Sequence, residues 1–113
     1  MSKYHKDLNY LIKDVDISKT ELEEIIIAAD KIISDAGSKR DKLIEAYLKK
    51  AQCLQKLNQY VESKTFLDKL FELNPNMPEA HVRLGIVYDD NKEYEKAIKE
   101  YVYYRDNKGR AGM

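Results

Sequence analysis

Disulfides, membrane-spanning segments and a dominant charge are all missing from this 113-residue chain, and each absence removes a class of protein. Its one cysteine, Cys53, has no partner within the chain, which fits a reducing, cytoplasmic setting. The longest apolar run, Ile25 to Ala29, falls far short of the roughly 20 residues that cross a bilayer, so no membrane association is expected. Twenty Lys+Arg are balanced by 20 Asp+Glu. Nucleic acid and anionic lipid are therefore not expected as partners, because both reward an excess of positive charge. Met1 to Lys6 lead into alternating charge and not into an apolar stretch with a small-residue cleavage site, so no secretory signal is expected. What is present suits a folded domain. Hydrophobic content of 43% is too high for a disordered tail, and a chain of this length buries roughly 65% of its unfolded surface, enough for one core without metals.

Only four Gly and two Pro interrupt the chain, and apolar residues recur at helical spacing almost throughout. The reading is all-α, with about six helices. Leu8, Leu11, Ile12 and Val15 form the first stripe. A second helix is expected to start near Thr20, with Glu23 completing a capping box, and to run through Ala36 until Gly37 stops it as a left-handed cap. Ser38, with Asp41 three residues on, opens a third helix carrying Leu43, Ala46, Tyr47, Ala51, Leu54 and Leu57. The fourth runs from Tyr60 to Asn74, and the fifth begins at Pro78, where a first-turn proline loses no hydrogen bond. A sixth runs from Tyr94 to near Gly109.

Short connections between six helices suit either a bundle or a stack of hairpins, and internal repetition distinguishes them. Tyr94 follows Tyr60, Tyr88 follows Leu54, and Gly85 follows Ala51 at the same interval of 34 residues. That period is one helix-turn-helix unit. The stretch from Pro78 to Tyr101, with Leu84-Gly85, Tyr88, Tyr94, Ala97-Ile98 and Tyr101 at fixed offsets, resembles the tetratricopeptide repeat. The unit from Ile44 to Met77 keeps Tyr47, Ala51, Leu54, Tyr60, Leu67 and Pro75. It departs at Lys50, where the family places an apolar residue, and at Ser63, where it places alanine. The resemblance implies an α-solenoid of three hairpins forming a single domain over 1–113. A degenerate repeat would occupy 4–37, a second repeat 38–77, a third 78–108 and a tail 109–113.

Candidate chemistry is thin. Asp89-Asp90-Asn91 with Glu100 imitates a calcium loop, but Tyr94 stands where such a loop needs glycine. Asp14-Val15-Asp16 has no parallel sheet to serve as a phosphatase site. His5 and His81 lie too far apart to form a zinc site with Cys53, which reads as a small buried residue. No enzyme, metal or cofactor is expected.

A surface remains. In the family the first helices of successive hairpins line a concave groove for peptides, and the resemblance places Leu48, Lys49, Gln52, Val82, Arg83 and Ile86 there. Leu48 with Val82 and Gln52 with Ile86 would form a partly apolar strip beside the cations Lys49 and Arg83, suited to a carboxylate. Glu45 and Glu79, four residues before each cation, can instead satisfy them locally. The form of this fold that grips the acidic C-termini of heat-shock chaperones uses two Lys, two Asn and an Arg. Only Arg83 matches, with Asp14 and Glu79 at the lysine positions and Ser18 and Lys49 at the asparagine positions, so a different peptide is implied. Charge divides unevenly: residues 38–74 hold 8 basic and 5 acidic side chains, so an acidic ligand across the middle hairpin is expected. The partner is then a protein or peptide. The last helix offers a second surface, because Tyr101, Tyr103 and Tyr104 cluster where a capping helix would follow, and they suit self-association into a homo-oligomer.

Overall fold

Five helices and no strand make up residues 18–110, the residues that the computed structural model describes. They are α1 (Lys19–Ser34), α2 (Arg40–Lys56), α3 (Tyr60–Leu73), α4 (Pro78–Asp90) and α5 (Tyr94–Asn107), followed by a 3-10 turn at Lys108–Arg110. The helix expected around Leu8 to Val15 lies outside the described residues.

Local chemistry corrects several boundaries. The box that starts α1 closes on Ser18 and Glu21, not on Thr20 and Glu23. The Ser18 hydroxyl accepts the Glu21 N–H at 3.1 Å and donates to the Glu21 carboxylate at 3.3 Å. Gly37 does not end this helix in a left-handed conformation. Asp35 ends it in extended backbone, and its side chain accepts the Gly37 N–H at 2.9 Å. Ser38 reaches back to donate to the Ile32 carbonyl at 2.7 Å, so α2 opens at Lys39 without a side-chain cap. Gly109 sits within the 3-10 turn, and α5 ends before it at Asn107.

The two hairpins α2–α3 and α4–α5 repeat each other at the turn. Asn58 and Lys92, 34 residues apart, both take φ of 63°. Each reverses the chain by the same pair of bonds: Asn58 N–H to the Gln55 carbonyl and Gln59 N–H to the Leu54 carbonyl, then Lys92 to Asp89 and Glu93 to Tyr88. This is the left-handed cap with two backward bonds that lets a helix stop and its successor fold back at once. Lys92 has no glycine-like freedom and adopts the conformation at a steric cost.

Small residues hold each hairpin closed. Ser63 of α3 is wholly buried against α2 and donates its hydroxyl to the Ala51 carbonyl at 2.8 Å, so the family's alanine is replaced without an unsatisfied polar group. In the next hairpin, a Cβ on Gly85 would lie 2.7 Å from Cε1 of Tyr101. Leu67 and Leu70 of α3 are fully buried in the core with Leu84 and Val87 of α4, which joins the hairpins into one body. Lys50, the charged residue at an apolar position, is retained by two neighbours. Its ammonium lies 2.5 Å from the Asp30 carboxylate of α1 and 4.2 Å from the Phe66 ring centroid of α3. His81 fills a position where the family places a bulky aromatic. It stacks between Phe71 and Tyr103, and its nitrogens meet Glu100 and the Pro75 carbonyl, each at 2.7 Å.

Glycine has opposite effects at two places. Lys92→Gly relieves the left-handed strain and raises stability by about 0.5–1 kcal/mol, the strain relief outweighing the added freedom of the unfolded chain. Gly85→Ala forces Tyr101 aside. Its overpacking cost of about 1–3 kcal/mol exceeds the roughly 1 kcal/mol that alanine gains in a helix, so stability falls. Urea denaturation of the two variants beside the parent reads both signs.

Candidate functional site

Direct packing between α2 and α4, the first helices of the two hairpins, builds the candidate site. Each also packs on its own second helix, and α3 fills the space between them on the other side. The α2 and α4 side chains that face away from α3 therefore line the inner surface of the array. Gln55 ties the two helices together: its amide donates to the Arg83 carbonyl at 2.7 Å, and Arg83 Nη1 donates back to the Gln55 side-chain oxygen at 3.5 Å. Gln55 is only 5% exposed, so this bond is shielded from water and fixes the base of Arg83 against α2.

The six groove residues do not share one environment. Gln52, Val82, Arg83 and Ile86 are half-buried, open enough to meet a ligand and anchored enough to present a shape. Leu48 does not belong with them. At 7% exposure it packs into the core with Ile44, Ala51 and Leu84, because the side chain beside α4 is drawn into the helix–helix interface. The apolar strip therefore rests on Val82 and Ile86. Lys49 is exposed and lies 3.0 Å from Glu45, the intrahelical pair foreseen from their spacing. The hydrogen bond and charge of Lys49 hold the Glu45 carboxyl below its ordinary range. Such an exposed pair is screened and readily exchanged for another carboxylate. Of the chaperone-clamp positions, Ser18 serves as the α1 cap and Asp14 lies outside the described residues.

A cleft of about 260 Å³ that the sequence did not announce opens where α2 and α4 begin. Arg40, Asp41, Ile44, Asn74, Met77 and Glu79 line it. Arg40 donates across its edge to the Leu73 carbonyl at the end of α3. Asn74-Pro75-Asn76 reads only as a turn in the sequence. What makes it a wall is its placement beside Arg40, whose bond to Leu73 spans 33 residues.

The three α5 tyrosines expected to self-associate, Tyr101, Tyr103 and Tyr104, point in different directions. Tyr103 stacks on His81 at 4.0 Å, inside the molecule's own packing. Tyr101 lies against Gly85 with its hydroxyl 3.4 Å from the Asp89 carboxylate, and burial first, then Asp89, pushes its phenol up. Tyr104 is half-buried beneath the Lys108 ammonium. The exposed apolar residues of this helix are others: Tyr94, Ile98 and Val102, at 55%, 58% and 37%.

Among the described residues no helix is long and apolar enough to cross a membrane. A comparison with protein-family models matches the tetratricopeptide repeat at residues 44–77 and 78–102. No curated protein and no solved structure matches the chain.

Cys53 sits on α2 at 4% exposure, and burial pushes its thiol up against the opposing pull of Lys56 and Lys49. A thiol reagent at mildly alkaline pH is expected to modify native Cys53 more than about tenfold slower than the urea-unfolded chain, because reaction requires local opening. Equal rates in the two states would contradict the burial.

Proposed function

The chain belongs to the tetratricopeptide repeat family, whose domains mediate protein–protein interaction, and from that premise we propose that it is a non-catalytic adaptor that holds a peptide along the inner face of α2 and α4. The observation that carries this reading is the state of Gln52, Val82, Arg83 and Ile86. They stay half-buried on two contacting helices while the core is completed without them. A peptide laid across these helices would place apolar side chains over Val82 and Ile86. Its carboxylates would meet Lys49 and Arg83 by charge-assisted hydrogen bonds. The excess of basic over acidic residues across 38–74, 8 against 5, favours an acidic peptide and steers its approach. Leu48 supports the wall from within and makes no contact with the ligand. In this reading 4–37 is a degenerate first repeat, 1–113 forms one domain, and a lone cysteine suits a cytoplasmic scaffold.

Titration calorimetry with a paired set of peptides tests the proposal, the two members sharing apolar residues and differing in Glu or Lys at the charged positions. The acidic member binds and the basic member does not. Lys49→Glu, at an exposed position that leaves folding intact, weakens binding, and adding Arg83→Glu brings the loss to about tenfold or more. Affinity unchanged in the double variant, with helix content preserved, removes these residues from the site.

A further inference from the structure

The two hairpins differ in one respect that the fold does not require. In α3, Leu67 and Leu70 are completely buried beneath α4. One repeat later the equivalent residues of α5 are Tyr101 and Tyr104, both half-exposed, since no helix follows among the described residues. Beside them the difference is sharper. Lys64 and Asp68 of α3 form a solvated ion pair at 3.1 Å. Their counterparts 34 residues on are Ile98 and Val102, exposed at 58% and 37%, with Tyr94 one turn earlier at 55%. Tyr94, Ile98 and Val102 recur every four residues and form one stripe along α5. The same fold accommodates charge at two of these positions, so the apolar stripe is not a requirement of the hairpin.

We propose that a second copy of this chain covers this stripe, its α5 packed antiparallel on the first. Three observations favour that occupant. The charges flanking α5 are self-complementary: across the α4–α5 turn and the first turn of α5, Asp89, Asp90, Glu93 and Glu95 outnumber Lys92 and Lys96, while at the far end and in the 3-10 turn Arg105 and Lys108 outnumber Asp106. Antiparallel contact brings unlike ends together, in the sense that the helix dipoles also favour, and a two-fold axis satisfies both ends at once. The chain carries no net charge, so two copies approach without long-range repulsion. Tyrosines stand where α3 has leucines, and their hydroxyls keep a polar tip for the rim of an interface that the free monomer must also tolerate in water. The face lies on α5, away from α2, so a dimer leaves both inner grooves open.

Sedimentation velocity from low micromolar to near-millimolar protein tests this independently of any peptide. The full chain is expected to show a reversible monomer–dimer equilibrium. Ile98→Glu, which copies the charged character of Lys64 in the preceding repeat, is expected to weaken it by about tenfold or more at unchanged helix content. Val61→Glu, at an apolar residue of α3 that is 84% exposed, leaves it unchanged. A strict monomer at every concentration overturns the proposal and assigns the stripe to a different protein. A dimer insensitive to Ile98→Glu, or equally sensitive to Val61→Glu, overturns it too.

Discussion

Everything in this fold depends on how closely the two helices of a hairpin approach. At that crossing the chain has room only for Ala51 against Ser63, and for Gly85 against Tyr101. Close approach leaves no space for a wide loop, so the reversal must occur within one residue of left-handed backbone, at Asn58 and again at Lys92. It also fixes the rotation of each helix about its axis. The face opposite the crossing is then free, and on α2 and α4 that face becomes the inner wall. A tight hairpin is thus the cause of the proposed binding surface as well as of the stability.

Polar groups within this packing are tolerated because each has a partner supplied by a different helix. Lys50 is shared by Asp30 and Phe66, and Gln55 bonds to Arg83. His81 has acceptors at both nitrogens. These bonds join α1 to α2, α2 to α4, and α4 to α5. They therefore fix how successive elements sit, where apolar contact alone would permit sliding. Among the described residues, buried side-chain nitrogen and oxygen atoms all have partners. Removing one member of such a pair strands the other away from water, which costs more than the pair itself contributes.

Much of this was legible in sequence because it is local or periodic. The interval of 34 residues announced the hairpins, Pro78 marked the start of α4, and the Glu45–Lys49 spacing announced their ion pair. What escaped was decided at a distance. Ser18 and Thr20 are both competent caps, and only the backbone at Ser18 settles which one acts. Gly37 looked like a terminator, yet the neighbouring Asp35 supplied a side-chain bond that ended the helix first. Leu48 lies one turn before Gln52 on the same face of α2, but contact with α4 draws it into the core. The stripe on α5 was hidden for a related reason: at helical spacing Ile98 and Val102 read as core positions, and only the packing of α5 on α4 leaves them in water.

The peptide groove proposed on α2 and α4 implies a particular footprint for its ligand. Backbone amide shifts recorded by nuclear magnetic resonance, as an acidic peptide is added to the labelled chain, read that footprint directly. The account predicts shifts concentrated at Lys49, Gln52, Val82, Arg83 and Ile86, with α3 and the outer face of α5 undisturbed. Shifts confined to Tyr94, Ile98 and Val102, or spread evenly over the molecule, would contradict it.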